Sequence, residues 1–402
     1  MIAGLPIADP QFWIVTATVA IAVALAVRRV VRSLRRESAR PCASCSRARA
    51  VPSTPWSPRW ARPRLPVVAL VAVLAPVGAA ATTVERQVEV MGTTLRVEVE
   101  GADRTAALAV AESLLREVEA TERRLSTWRD DSELAALNAA PAGTWRALSA
   151  ETFAALAGAW SCAERTGGAF DPTLAPLVAA WGLRTGGRLP SATELAAARA
   201  ATGPERLALD AGRRRVGKRS QVTIDEGAFG KGAALDAALT AGSSAGFVRI
   251  DLGGQLAWRG APAPQTVALA DPRDRARPAL DLTLAAERGS LATSGDGERR
   301  FAVGGETFGH LLDPRTGRPA RDFGSVVVAA ASGLEADCLS TALFVLGPEL
   351  GARWLAGAGR GVEAVYLVVE SGRLRALATA GLAGGLRPRA EDIEIEILES
   401  SS

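Results

Sequence analysis

Asp337 and Thr341 stand four residues apart in the run Ala336-Asp337-Cys338-Leu339-Ser340-Thr341. On a helix that spacing projects both side chains from one face. A carboxylate and a hydroxyl so placed can share a hard, oxygen-liganded cation. Magnesium keeps its waters and needs few protein ligands when a substrate phosphate completes its sphere. Taken alone, the pair reads equally as an N-capping Asp with a back-bonded Thr. A second segment, Ile224-Asp225-Glu226-Gly227-Ala228-Phe229-Gly230-Lys231-Gly232, is a glycine-rich turn that opens a helix. Such a turn lets backbone groups approach a phosphate, and Lys231 adds a point charge. It is not a P-loop, because no Ser or Thr follows the lysine, and packing alone could also call for its glycines. Third, His310 closes a predicted strand just before Asp313-Pro314-Arg315-Thr316-Gly317, a run of turn formers. His310 is the one histidine in 402 residues, and Lys218 and Lys231 are the only lysines. A zinc site built on several histidines is therefore excluded. Any histidine chemistry must run through His310, which by itself could equally be structural.

The elements that must position these residues alternate irregularly along the chain. Val84–Val99 reads as a strand pair around Met91-Gly92-Thr93, and 106–124 as an amphipathic helix. Ser126–Asp131 is a polar loop, and Ser132 can cap a short helix ending near Asn138. Helices follow at 151–166, 193–200 and 231–241. Strands are predicted at 247–252, 265–270, 280–284 and 325–331, then a helix over 336–346. A hairpin over 362–369 and 373–379 closes the domain, and the acidic stretch after Arg389 reads as a frayed tail. Strands and helices mix without strict βαβ alternation, so the expected class is α+β. Cys162 and Cys338 fall in apolar helical contexts and read as small buried hydrophobes.

The net charge of +4 is unevenly spread: residues 1–64 hold eleven Arg against Asp9 and Glu37, and the remainder is acidic by five charges. Nothing therefore points to nucleic-acid binding by the main domain. Phe12–Val27 is an uncharged run followed by arginines. Leu65–Ala81 is a second apolar run, preceded by Arg59, Arg62 and Arg64 and closed by Ala79-Ala80-Ala81. Residues 1–50 thus read as a possible transmembrane segment with a basic tail that holds the Cys42/Cys45 CxxC. Residues 51–81 read as a signal peptide or a second span. Basic loops stay cytoplasmic, which places residues from about 82 onward on the periplasmic side of the inner membrane, anchored or released.

Read together, the segments are far more specific than apart. Met91-Gly92-Thr93, Ser126-Thr127-Trp128, Gly168-Ala169-Phe170-Asp171-Pro172-Thr173-Leu174-Ala175-Pro176, Trp181-Gly182, the Asp225–Gly232 loop with Asp236, Asp251-Leu252-Gly253-Gly254, Ser294-Gly295, the His310–Gly317 run and Ala336–Thr341 occur in order. This series resembles the FAD:protein FMN transferase family from about Val88 to Leu346. The resemblance implies one flavin-transferase domain over 82–385, followed by an acidic tail over 386–402. It implies that Met91 and Trp128 line the flavin, Trp128 standing where a Tyr is usual. It also implies FAD contacts from Thr173, Leu174, Ala175, Asp225, Lys231 and Leu312. The metal ligands implied are the Ala228 carbonyl, Asp337 and Thr341, holding Mg2+. His310 matches the residue that activates the acceptor hydroxyl. Three positions depart from the pattern. Glu226 replaces an apolar residue, Gln255 stands where an acid or another amide is usual after Gly-Gly, and Asp296-Gly297 follows Ser294-Gly295 in place of an aromatic.

The function so implied is Mg2+-dependent transfer of the FMN half of FAD to a threonine hydroxyl of a target protein, with release of AMP. Two other readings use the same residues. An FAD pyrophosphatase would pass FMN to water, and an exported FAD-binding protein would leave the cofactor intact.

Overall fold

The computed structural model describes residues 81–260, 264–297 and 300–398, together with Arg28. Apart from Arg28, these lie within a compact unit running from Leu74 to Ser402. The 1–50 segment with its CxxC and the signal-like run up to residue 80 lie outside the described residues, Arg28 excepted. Among the described residues, no helix is long and apolar enough to cross a membrane.

The chain begins with a hairpin, β1 (Thr82–Val90) and β2 (Thr93–Gly101). Then come α1 (Arg104–Leu125), α2 (Glu133–Ala139), β3 (Trp145–Ala147), α3 (Ala150–Arg165), α4 (Ala175–Ala180) and α5 (Ala192–Ala200). Strands β4 (Leu207–Asp210) and β5 (Arg215–Lys218) precede α6 (Gly230–Ala241). A strand-rich stretch follows: β6 (Phe247–Leu252), β7 (Gln255–Arg259), β8 (Gln265–Asp271), β9 (Asp274–Leu284) and β10 (Arg288–Gly295). Two small hairpins, β11 (Arg300–Val303) with β12 (Glu306–Gly309) and β13 (Leu312–Asp313) with β14 (Arg318–Pro319), lead into β15 (Gly324–Ala330). The last elements are α7 (Gly333–Gly357), β16 (Glu363–Glu370), β17 (Arg373–Ala378), α8 (Ala380–Ala383), β18 (Leu386–Pro388) and β19 (Glu394–Ile397).

Nine strands form one mixed sheet in the order β1-β2-β6-β7-β10-β15-β16-β17-β19. Its pairings are antiparallel except the last, β17 with β19. Period-2 alternation divides its side chains between two layers. In β15, Val326 and Val328 pack with α3 and α7, whereas Val327 joins Leu280, Leu282 and Leu367 under the β18-β9-β8 sheet. The hairpin end of the sheet packs on α1 and α6, through Leu95, Val97, Leu114, Leu235 and Ile250. Burying each such aliphatic side chain contributes about 1.5–3 kcal/mol. The α+β expectation therefore holds, with eight helices beside a large sheet among the described residues.

Two boundaries differ from the reading of the sequence. The final helix starts at Gly333, capped by Ser332, and continues past Leu346 through a kink to Gly357. Gly347 supplies a left-handed φ of 72° there, and Pro348 restarts the helix after it. The acidic stretch after Arg389 is not frayed throughout. Glu396 accepts two hydrogen bonds from the Arg375 guanidinium, and Ile393 and Ile395 pack under the sheet, which holds β19 in register beside β17.

Candidate active site

The wall that carries Asp337 is assembled where the first turns of two helices pack against each other. Asp236, on α6, accepts hydrogen bonds from Ser332 Oγ (2.6 Å), Gly333 N (2.6 Å) and Leu334 N (3.0 Å), so it neutralises the exposed N–H groups of α7. In return, the first turn of α6 donates Gly232 N–H to Asp337 Oδ2 at 2.9 Å. The approach is close enough to require a glycine. A Cβ on Gly232 would lie 2.3 Å from the Gly333 carbonyl oxygen. With Ser332 as the cap, Asp337 is an interior helical residue, and the capping reading of Asp337 falls away. Asp337 and Thr341 share one face, both nearly buried, and Lys231 Nζ stands 3.9 Å from Asp337 Oδ1.

The loop that precedes α6 is fastened on three sides. Asn138 on α2 brackets Ile224, donating to its carbonyl (2.9 Å) and accepting from its amide (2.8 Å). Asp225 donates its amide to Pro172 O at 2.8 Å. The Asp225 carboxylate accepts from Gly227 N (2.8 Å) and pairs with Arg184 (2.7 Å). Glu226, the first departure, accepts from Thr127 N at 3.0 Å and from Thr127 Oγ1, so it straps the Trp128 loop to the glycine-rich loop. It bonds the loop rather than standing as an uncompensated charge beside a phosphate site. The Arg184 guanidinium also lies 4.4 Å from the centre of the Trp128 ring, a cation–π distance. Gln255, the second departure, is buried and donates to Gly333 O at 2.9 Å, again at the start of α7.

His310 follows β12. The stretch 310–317 is held against α4 by Trp181, whose indole N–H donates to Gly317 O (2.7 Å) and whose ring meets Phe301 and Phe308. Asp171 fixes the neighbouring turn by accepting from Thr173 N (2.7 Å) and Thr173 Oγ1 (2.6 Å); burial pushes its carboxyl up to about 6.

Nine of the residues expected from the sequence line one cleft: Trp128, Leu174, Asp225, Ala228, Lys231, His310, Leu312, Asp337 and Thr341. Thr293, Ser294 and Gly295 complete its lining, and the Ser294 and Ser340 hydroxyls lie 2.9 Å apart, joining β10 to α7. Three expected contacts sit differently. Thr173 is fully buried, its hydroxyl held between Asp171 and the Gly203 amide, so it shapes the turn below the cleft. Ala175 lines an adjoining cavity that shares Val178, Arg184 and Asp225 with the cleft. Met91 is partly buried at the tip of the β1–β2 hairpin with a left-handed φ of 52°, and its Cε stands 3.5 Å from where a Gly230 Cβ would point. Leu183 and Arg184 are cleft residues that the sequence did not single out. An arginine two residues beyond Trp181-Gly182 carries no motif, and only the fold brings it to Trp128 and Asp225.

The donor set suits a hard cation held weakly. Asp337, Thr341 and the Ala228 backbone offer oxygen alone from one wall, and the cationic Lys231 beside them would attract a phosphate. Among the described residues, no three His, Cys, Asp or Glu come together as a full metal cage. A metal here would therefore need ligands from its substrate. The buried Cys162 and Cys338 are free thiols that do not line the cleft.

Comparison with known proteins agrees with this geometry. The ApbE family model matches residues 91–366. An FAD:protein FMN transferase of Klebsiella pneumoniae is 32% identical over 314 residues, which span 74% of this chain and 87% of that one. One from Treponema pallidum is also 32% identical, with the same coverage. Among solved structures, the flavinyl transferase ApbE of Pseudomonas stutzeri in its apo form superposes with a TM-score of 0.67 at 28% identity, covering 75% of this chain and 96% of that one. The ApbE protein of Thermotoga maritima gives 0.65 at 30% identity, covering 71% and 94%. The chain belongs to the ApbE family, the family of the flavin transferases it matches.

Proposed function

We propose that the chain transfers the FMN half of FAD to a threonine hydroxyl of an acceptor protein, releasing AMP, with Mg2+ held by Asp337, Thr341 and the Ala228 carbonyl. The observation that carries this reading is the convergence of those three oxygens, Lys231 and His310 on one cleft. When bound, the cation supplies neutralisation of the diphosphate and of the departing AMP. The chain's own residues do the rest. Lys231 attracts the diphosphate to the start of α6, where first-turn amides favour an anion. Trp128, 70% exposed, offers an aromatic face on which a flavin ring can stack, and Leu174 and Leu312 line the cleft with apolar surface. His310 takes the proton from the acceptor hydroxyl as it attacks the FMN-side phosphorus.

The full chain, incubated with FAD, Mg2+ and a candidate acceptor, should give a flavin-fluorescent acceptor band in a denaturing gel. FMN and AMP appearing without labelled acceptor would identify a hydrolase instead, and unchanged FAD would identify a binding protein. The acceptor is met on the periplasmic side of the inner membrane in this reading. What supports that placement is the arginine-rich stretch between the apolar runs at 12–27 and 65–81.

A further inference from the structure

The third departure from the family pattern lies beside the histidine. Asp296 follows β10 in the turn after Ser294-Gly295, and its side chain is 1% exposed. Its Oδ1 stands 3.6 Å from His310 Nδ1. A glycine makes this approach possible. A Cβ on Gly309, the residue before His310, would fall 2.0 Å from the Asp296 carboxylate. Arg300 does not take the carboxylate. Arg300 donates to the Asp296 backbone carbonyl (3.3 Å) and pairs with Asp322. Among the described residues neither carboxylate oxygen has a well-formed hydrogen bond, and the amides of His310 and Leu311 face it. A buried carboxylate of this kind needs a compensating positive charge.

We propose that Asp296 is the positioning residue of His310: it holds a proton on Nδ1, presents Nε2 as the base, and compensates the imidazolium formed during transfer. The proposal rests on the reading of His310 as the base. In the step, the acceptor O–H gives its proton to Nε2 as the oxygen bonds to the FMN-side phosphorus. The bond from that phosphorus to the AMP oxygen breaks, and its electron pair leaves on AMP. The imidazolium then returns its proton to solvent. A carboxylate on the far nitrogen fixes the tautomer and the ring plane, the arrangement that a positioned general base requires. Burial, with Asp322 nearby, pushes the Asp296 carboxyl up to about 6, so the group is charged at neutral pH and able to act. The other charged groups around His310 and Asp296 are Arg300 with Asp322 and Arg275 on this side, and Asp171, Arg184, Asp225, Glu226, Lys231 and Asp337 along the cleft.

The chain's single histidine allows a direct test, because full-length protein labelled at histidine shows one imidazole resonance. Asp296→Asn should lower its titration midpoint by about one pH unit or more. The same variant should reduce kcat roughly 10- to 100-fold with KM for FAD unchanged, and the rising limb of the pH–rate profile should move down with the resonance. Asp296→Ser, smaller than the native side chain, serves if the amide disturbs folding. An unmoved resonance, or an unchanged kcat in a folded variant while His310→Ala abolishes transfer, overturns the proposal. Full transfer by His310→Ala overturns instead the reading on which it rests.

Discussion

Replacing His310 by Ala removes the only imidazole in the chain while leaving the stacking face and the phosphate wall intact. Transfer should fall by about 100- to 10,000-fold with FAD affinity preserved, as a transfer assay beside a flavin-binding titration would show. Asp337→Asn should act on the other partner of the reaction. It keeps a hydrogen-bond acceptor for Gly232 but removes the charge, so the Mg2+ needed for half-maximal rate should rise about tenfold or more. A third prediction concerns protons and stability. Burial raises the Asp171 carboxyl to about 6, so the folded chain binds that proton more tightly than the unfolded chain. Its contribution to stability is therefore largest below about pH 4 and is lost as pH rises through about 6. Asp171→Asn should flatten the stability profile over that window by on the order of 2 kcal/mol, measured by denaturant unfolding. At this scale the sequence was informative where chemistry restricts residue type. One histidine, two lysines and an i,i+4 Asp–Thr pair leave few alternatives. Thr173 shows the limit, because a motif position next to a ligand reads the same whether its side chain faces the ligand or, as here, braces the turn beneath.

The site depends on two helices held start to start, and this contact has no signature in periodicity. Asp236 reaches Ser332, Gly333 and Leu334, nearly a hundred residues further along the chain, and Gly232 returns a bond to Asp337. Gly232→Ala would drive a methyl group into the Gly333 carbonyl. It should cost about 1–3 kcal/mol of stability and weaken Mg2+ activation together, seen in melting and in metal titration of the same variant. Helices such as 104–125 and strands such as 247–252 were legible within a few residues, because amphipathic and alternating patterns report burial directly. The long α7 was read short because Gly347 and Pro348 look like an ending, while the sheet beneath holds the helix through the kink. The tail strand β19 was missed for a related reason: acidic residues suggest solvent until Arg375, twenty-one positions earlier, is placed opposite Glu396.

For the whole molecule, the large sheet brings together a hairpin tip, two helix starts and the 310–317 turn, segments spread from Met91 to Thr341. No local stretch contains the site, which is why single motifs were weak and their order was strong. The central claim is that this cleft moves FMN, intact, from FAD to a protein hydroxyl. The most direct measurement is the intact mass of an acceptor after incubation with FAD, Mg2+ and the full chain, followed by fragmentation to locate the modification. The account predicts an increase equal to one FMN joined through phosphate to a threonine, absent when His310 is Ala or when Mg2+ is chelated. An acceptor of unchanged mass alongside free FMN and AMP, or an adduct that forms equally well without His310, would contradict it.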